Sequence, residues 1–237
     1  MKIQGSIALV TGANRGLGKA LVSALLEAGA AKVYAAARDA RTVSADSSRI
    51  VPLTLDVTKP EQIAAAALKA GDVTLLINNA GALNSFNVLT SSQADLDADF
   101  RVQVHGTLAV IKAFLPALER AHGATIVNVL SLTSLASFPA LGGYSASKAA
   151  AYSMTQALRP ELKKNHIDIL AVLPGVIDTD MVKDLPMPKT SPADTATGLL
   201  AGVERGDEEI FPDPMAQQMG ALWNNSHKEL ERAFASF

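Results

Sequence analysis

The sequence predicts an α/β fold of the doubly wound type, a three-layer sandwich whose central sheet is mostly parallel and has about seven strands. Short apolar runs alternate with helical stretches along the chain, which indicates repeated βαβ units. A glycine-rich turn, residues 11–18, joins the first apolar run to the first helical stretch. Polar or glycine residues also follow later apolar runs. Because ligands of parallel sheets bind beyond the carboxyl ends of the strands, we expect these segments to meet at one edge.

The predicted strands are short and almost continuously apolar, as is typical of strands that helices cover on both faces. They comprise residues 7–10, 32–37, 49–55, 72–77, 124–129 and 167–173, and a shorter run at 209–211. The helices between them follow capping and breaking signals, such as Pro60 near a helix start and Gly29 after a helix end. The predicted helices comprise residues 19–28, 62–70, 95–120 (with a bend near Gly106 or Pro116), 144–164, 193–205 and 215–236.

Residues 178–192 contain or adjoin three prolines and are predicted to form a mobile flap over a substrate site. The length of 237 residues suits one domain that spans residues 1–237. We find no internal repeat and no linker.

The charge balance excludes some function classes. The chain has 21 basic and 23 acidic residues and no basic stripe, so nucleic acid is not an expected partner. It has no cysteine, which excludes disulfides and cysteine-ligated metals, and no metal site is predicted. A strand-like run begins directly after the first residues, and no apolar run is long enough to span a bilayer. We therefore expect a cytoplasmic protein without membrane contact.

The glycine turn, Thr11-Gly12-Ala13-Asn14-Arg15-Gly16-Leu17-Gly18, is a candidate phosphate site. Glycine lets backbone N–H groups approach an anion closely, and the following helix N-terminus adds a favourable field. A glycine pattern alone is common, but here a strand precedes it and a helix follows it, as a dinucleotide site requires.

The end of the second strand indicates which dinucleotide is bound. An acidic residue there would bond the adenosine ribose, but this chain has Ala37 followed by Arg38. The guanidinium groups of Arg38 and Arg15 can pair with a 2′-phosphate, which favours NADP(H) over NAD(H). Asp39 lies one residue beyond the position from which an acid would bond the ribose, and it is expected to face solvent. The alternative interpretation of Arg38 is an exposed loop cation.

Tyr144 and Lys148 are four residues apart in a predicted helix and therefore share one face. A phenol transfers protons poorly at neutral pH unless its anion is stabilised, and a neighbouring ammonium does so. Ser131 follows the fifth strand and can hold a carbonyl oxygen beside the phenol. The alternative is a solvated helix face, since this tyrosine–lysine spacing also occurs by chance.

Five motifs occur in order: Thr11 to Gly18, Asn78-Asn79-Ala80-Gly81, Ser131, Tyr144 to Lys148, and Pro174-Gly175-Val176-Ile177-Asp178-Thr179. With these motifs, residues 5–185 resemble a short-chain dehydrogenase/reductase of the single-domain type. The resemblance implies a Rossmann-like fold and an oxidoreductase that transfers hydride from NADPH.

The resemblance also implies residue roles. Tyr144 would be the acid–base, Lys148 would lower the tyrosine pKa and hold the nicotinamide ribose, and Ser131 would orient the substrate oxygen. The remaining cofactor contacts would come from Gly12, Asn14, Arg15, Gly16, Leu17, Gly18, Arg38, Asp56, Val57, Asn79, Ala80, Gly81, Pro174, Gly175, Val176 and Thr179.

Two positions depart from the family pattern. Members usually have an asparagine in the long helix that helps a water chain relay protons to the lysine, and here Gln103 occupies that place. Three alternatives remain open: Gln103 acts in a shifted geometry, the relay follows another route near His105, or the relay is impaired. The C-terminus lacks the glycine-rich strand that supports tetramers in many members. A homodimer through the helices of Gln103 and Tyr144 is therefore expected, with a tetramer still possible.

The candidate substrate residues are mostly apolar, and no cation is evident among them to bind a carboxylate. They are Leu132, Phe138, Leu141 and Met181, with Leu83, Phe86 and Leu185 as further candidates. We therefore expect reduction of a neutral ketone or aldehyde, or the reverse oxidation. The alternatives are a non-catalytic NADP-binding regulatory or scaffold protein, or an isomerase or lyase that uses the same site.

Overall fold

The computed structural model describes residues 1–121 and 123–236, and its centre is a seven-stranded sheet in which all strands are parallel. The strands are Ile7–Thr11 (β1), Lys32–Ala37 (β2), Ile50–Thr54 (β3), Leu75–Asn78 (β4), Thr125–Val129 (β5), Asp168–Val172 (β6) and Glu209–Ile210 (β7). Their order in the sheet is β3-β2-β1-β4-β5-β6-β7. The predicted number of strands and their mostly parallel arrangement are confirmed.

The helices that connect the strands are Gly16–Glu27 (α1), Pro60–Lys69 (α2), Gln93–Phe100 (α3), Thr107–Arg120 (α4), Gly142–Lys163 (α5), Pro192–Arg205 (α6), Pro214–Asn225 (α7) and His227–Ala235 (α8). None of the helices in the described ranges is both long and apolar enough to cross a lipid bilayer.

Two hydrophobic layers cover the two faces of the sheet. Helices α1 and α6 pack on one face, where Leu21 and Leu199 are fully buried. Helices α2, α4 and α5 pack on the other face, where Phe114 is fully buried. Burying one such side chain contributes about 1.5–3 kcal/mol. This arrangement confirms the doubly wound, three-layer fold.

The strand order reverses direction between β1 and β4. The chain moves from β1 outward to β2 and β3, then returns to β4 on the other side of β1. At such a switch point the connections diverge to opposite faces and leave a crevice beyond the carboxyl ends of the strands. The glycine turn follows β1 and the segment Asn79–Gly81 follows β4, so both border this crevice.

Two predicted helices differ from those in the structure. The helix predicted at 95–120 is divided by a π-helical segment, Arg101–Gly106, and such segments frequently occur at functional sites. The helix predicted at 215–236 is two helices, because Ser226 adopts an extended backbone and its hydroxyl accepts a bond from the N–H of Glu229 at 3.3 Å. A serine that caps a new helix in this way ends the preceding one.

Candidate active site

One cleft of about 1170 Å³ lies at the carboxyl edge of the sheet. The residues predicted above as catalytic or cofactor-binding all contribute to its wall, including Gly12, Arg38, Gln103, Ser131 and Tyr144. The substrate candidates Leu132, Phe138, Leu141 and Met181 also line it. Leu83 and Leu185 also line it. Phe86 was predicted to line the pocket, and this is wrong: its side chain is half exposed outside the cleft, because the segment after β4 turns towards helix α5.

The glycine turn forms a cradle in which side chains would not fit. A Cβ atom at Gly18 would lie 2.1 Å from the carbonyl oxygen of Gly12, so α1 begins in direct contact with the end of β1. Gly12 itself has a φ of +66°, a conformation that favours glycine. This cradle at the N-terminus of α1 fits a pyrophosphate group.

Asn79 fastens the glycine turn to the end of β4. Its side-chain N–H group donates to the carbonyl oxygens of Thr11 at 2.9 Å and Gly12 at 3.2 Å. The Thr11 hydroxyl in turn accepts bonds from the backbone N–H groups of Asn79 and Ala80. Asn79 thus bonds backbone groups of the neighbouring strand and so fixes the sheet edge at the cleft.

Asn78 differs from Asn79 because its side chain donates to the side chain of Asn128 rather than to backbone. Asn128 donates in turn to the hydroxyl of Thr155 on α5 at 2.9 Å. These buried amides connect β4 and β5 to the helix that carries Tyr144.

The end of the cleft next to β2 carries the charged residues expected for an adenosine phosphate. Arg38 is exposed and lines the cleft, whereas Asp39 pairs with Arg41 outside it. Burial tends to raise the pKa of Asp56, but hydrogen bonds from Thr58 and the charge of Arg38 outweigh it and hold the pKa below its usual value.

Arg15 makes a contact that the sequence did not predict. Its guanidinium lies 3.8 Å from the carboxylate of Asp180, and both side chains are largely exposed. Such an exposed pair contributes little to stability. It does connect the glycine turn to residues 178–192, the segment predicted to form a flap.

Ser131, Tyr144 and Lys148 converge on the cleft beyond β5. Ser131 precedes a short 3₁₀ turn, and its hydroxyl accepts a bond from the N–H of Thr133 at 3.1 Å. The Lys148 ammonium lies 5.7 Å from the centre of the Tyr144 ring and donates to the carbonyl oxygen of Val129 at 3.0 Å. The predicted shared face of tyrosine and lysine is therefore present in α5.

Burial dominates the electrostatics of this pair. It raises the pKa of Tyr144 above its usual range, and the charge of Asp99 adds to this, while a hydrogen bond with Ser131 acts in the opposite direction. Burial also lowers the pKa of Lys148 to about 7, against the effect of Asp99. On balance desolvation outweighs the hydrogen bond with Ser131, so the protonated phenol is the favoured form of Tyr144.

Gln103 lies in the π-helical segment and is almost fully buried. Its side-chain N–H donates to the carbonyl oxygen of Ala82 at 2.9 Å, just beyond the segment Asn79–Gly81. His105 is exposed, two residues further along.

The C-terminal helices supply pocket residues that the sequence interpretation missed. Besides Leu132, Phe138, Leu141 and Met181, the wall includes Met215, Gln218 and Met219 of α7 and Phe234 of α8. The helical pattern predicted these helices but not where they pack. The break at Pro212-Asp213-Pro214 was the available signal, since it returns the chain to the sheet edge.

Asp213 holds the start of α7 at the edge of the sheet. One oxygen of its buried carboxylate accepts from the backbone N–H of Gly175 at 2.9 Å, and the other accepts from the N–H of Ala216 at 2.9 Å. The carboxylate thereby caps α7 and ties it to the loop after β6. Phe234 then packs edge-to-face on Phe138, with ring centres 6.2 Å apart.

Comparison with known proteins agrees with this geometry. The family model described as short chain dehydrogenase matches residues 6–189. A crystal structure of a short-chain dehydrogenase from Burkholderia cenocepacia in complex with NADP is 41% identical, with 99% of each chain covered and a TM-score of 0.93.

Two further relatives are more distant. A short-chain dehydrogenase/reductase from Burkholderia phymatum in complex with NAD is 26% identical, with 98% of this chain and 96% of that chain covered and a TM-score of 0.84. The 3-oxoacyl-[acyl-carrier-protein] reductase of Thermotoga maritima is 31% identical over 199 residues, 78% of this chain and 80% of the reductase.

Proposed function

The chain belongs to the short-chain dehydrogenase family, and we propose that it is an NADPH-dependent oxidoreductase that interconverts a neutral ketone or aldehyde and its alcohol. The observation that carries this proposal is the placement of Ser131, Tyr144 and Lys148 in the same cleft as the glycine turn. The part of the cleft at the glycine turn fits a dinucleotide, and the part at Tyr144 provides a proton donor.

The cofactor would lie along the strand ends. The cradle of Gly12, Gly16 and Gly18 would hold the pyrophosphate, and Arg38 would pair with the 2′-phosphate. Support for NADP(H) comes from the exposed guanidinium of Arg38 and from the NADP bound to the Burkholderia cenocepacia relative, although the relative from Burkholderia phymatum holds NAD. When bound, NADPH supplies the hydride.

In the reductive direction Tyr144 would give its proton to the carbonyl oxygen of the substrate. Because its pKa is raised, the phenol is protonated at neutral pH and is ready to donate. The Ser131 hydroxyl would hold the same oxygen. The phenolate that forms would be stabilised by the nearby ammonium of Lys148, which also would return a proton to it.

The distribution of charge in the cleft supports a neutral substrate. Among the described residues that line it, the basic side chains are Arg15, Arg38 and Lys148, and none of them is at the end formed by α7 and α8. That end presents thioether and aromatic side chains, including Met215, Met219 and Phe234, with the amide of Gln218 as a polar contact. An apolar alicyclic or aromatic ketone suits such a wall.

A turnover screen tests the proposal. Oxidation of NADPH is followed by its absorbance with neutral aliphatic, alicyclic and aromatic ketones and aldehydes, and with matched keto acids as the control. We expect turnover with neutral carbonyls and little with keto acids. Tight NADPH binding without turnover on any carbonyl would instead support the non-catalytic alternative.

We also propose a homodimer formed through the helices of Gln103 and Tyr144. Helix α5 carries a row of small exposed residues, Ala146, Ala149, Ser153 and Ala157, which would let a second copy approach closely. Light scattering of the full chain tests this: Ala149→Arg should convert a dimer to a monomer, whereas Ala193→Arg on α6 should not. A monomeric wild-type chain would contradict it.

A further inference from the structure

Asp99 on helix α3 is a completely buried carboxylate behind the proposed proton-transfer pair. One oxygen accepts from the backbone N–H of Asn84 at 3.0 Å and from its side-chain N–H at 2.8 Å. The other accepts from the backbone N–H of Ser85 at 3.0 Å and from the Ser85 hydroxyl. Three of these four groups can only donate, so the set matches an ionised carboxylate.

Among the residues that the structure describes, no basic side chain lies within ion-pair distance of this carboxylate. Within residues 1–121 and 123–236, none of the ion pairs includes Asp99. The buried charged side chains of the same ranges are Asp99, Lys148 and Asp213, and Asp213 is committed to the turn that starts α7. A buried anion without a cation is costly, so the buried ammonium of Lys148 is its natural counter-charge.

The segment that Asp99 holds lies directly under the start of α5. The carbonyl oxygen of Phe86 accepts a bond from the N–H of Gly143 at 2.9 Å. A Cβ atom at Gly143 would lie 2.5 Å from the hydroxyl oxygen of Ser85. Asp99 therefore supports, through Ser85 and Phe86, the residue that immediately precedes Tyr144.

We propose that Asp99 is a positioning residue for the Tyr144–Lys148 pair: it fixes residues 84–86 beneath the first turn of α5 and supplies a negative charge that favours the ammonium form of Lys148. The proposal rests on the proposed function, in which this pair transfers the proton. Asp99 need not touch the substrate to act, because it works through the segment and through its charge.

The electrostatics of the pair agree with this geometry. Burial lowers the pKa of Lys148 to about 7, and the charge of Asp99 opposes that decrease. The same charge raises the pKa of Tyr144 and so favours the protonated phenol. Without Asp99, Lys148 would lose its proton at lower pH and would stabilise a phenolate less well at neutral pH.

The other ionisable groups near α5 are placed less favourably to act on Lys148. Arg101 and His105 of the π-helical segment, Asp97 of α3 and Asp168 at the opposite end of β6 are all exposed, and Asp95 caps its own helix. Besides Lys148, the ionisable groups of α5 are Tyr144, Tyr152, Arg159, Glu161 and Lys163, and Lys164 follows its last residue. The last five lie C-terminal to Lys148, towards the other end of the helix.

The test is a titration of the Lys148 Nζ by NMR in lysine-labelled full-length protein, with the signal assigned by its loss in Lys148→Met. In Asp99→Asn we expect the titration midpoint to fall by about one pH unit. Asp97→Asn removes the same formal charge from an exposed site on the same helix and should leave the midpoint unchanged. Ser85→Ala keeps the Asp99 charge and should accelerate amide exchange at residues 84–86 without moving the midpoint.

An unchanged midpoint in folded Asp99→Asn, or an equal change in Asp97→Asn, would overturn the proposal. Asp99→Ser is titrated in parallel, because its hydroxyl can still accept a hydrogen bond from residues 84–86. If only one of the two variants folds, that variant decides the result. The titration needs no turnover, so its outcome is separate from that of the carbonyl screen. In an active enzyme, the pH profile of kcat should move in Asp99→Asn in the same direction as the midpoint.

Discussion

The side-chain N–H of Gln103 donates to the backbone carbonyl oxygen of Ala82 at 2.9 Å. This bond joins the π-helical segment to the chain just beyond the glycine of the Asn79–Gly81 motif. It places an amide close to the proposed active site, at the position where most family members have an asparagine. The longer side chain of Gln103 therefore makes its own hydrogen bond to the Ala82 carbonyl oxygen.

Shortening this side chain tests whether Gln103 serves the proton relay. Gln103→Asn removes one methylene and should break the bond to Ala82, which we expect to change kcat several-fold while the Kd for NADPH changes less than twofold. Gln93→Asn makes the same chemical change at an exposed site and is the control. Steady-state kinetics at several pH values and NADPH titrations give both quantities. A variant with wild-type kinetics at every pH would remove Gln103 from the relay.

The glycine cradle predicts a severe effect of one added methyl group. Gly18→Ala would place its Cβ 2.1 Å from the carbonyl oxygen of Gly12, so the turn must move. We expect NADPH affinity to fall more than tenfold, measured by fluorescence titration. Gly71→Ala is the control, because a Cβ there would meet its nearest atom at 3.7 Å. Equal NADPH affinity of both variants would contradict the proposed phosphate site.

Arg38 is predicted to recognise the 2′-phosphate. Arg38→Asp replaces a favourable charge by an unfavourable one, and a charged hydrogen bond contributes about 1.5–3 kcal/mol. The ratio of kcat/KM for NADPH over NADH should therefore fall at least tenfold. Arg41→Asp, three residues further along and paired with Asp39 outside the cleft, should leave the ratio unchanged. If the ratio is unaffected by Arg38→Asp, Arg38 does not read the phosphate.

Lys148 predicts a pH-dependent stability. Its pKa is about 7 in the folded chain, below the ordinary value of 10.5, so the unfolded state binds more protons between these pH values and stability rises with pH across them. Lys148→Met removes this dependence, so the free energy of unfolding of the variant minus that of the wild type should be larger below pH 7 than at pH 10.5, by roughly 5 kcal/mol. Urea unfolding of both proteins across this pH range measures the difference, with Lys112→Met at an exposed site as the control. A difference that does not depend on pH would contradict the shift.

The sequence predicted those features that depend on local spacing. The glycine turn lies directly between a strand and a helix, and Tyr144 and Lys148 are one helical turn apart, so neighbouring residues alone determine their geometry. The alternating strands and helices likewise determine the parallel sheet, and its edge then brings Ser131 to the same cleft.

Features that depend on long-range packing were not predictable in the same way. Asp99 lies in an acidic stretch, and only the fold reveals that it is buried by residues 84–86. Phe234 and Met215 are far along the chain from the motifs, and their place in the pocket follows from the bond between Asp213 and Gly175. Phe86 was predicted to line the pocket but lies outside it, since the apolar character of a residue does not show which way its loop turns.

The most direct test of the account is the activity of Tyr144→Phe, because the account assigns proton transfer to this phenol. We predict that kcat with the best ketone falls at least about 100-fold, the usual contribution of a general acid, while NADPH still binds with similar affinity. Tyr152→Phe, eight residues further along the same helix and bonded to Glu209, should retain its turnover. A Tyr144→Phe variant that reduces the ketone at the wild-type rate would contradict the proposed mechanism.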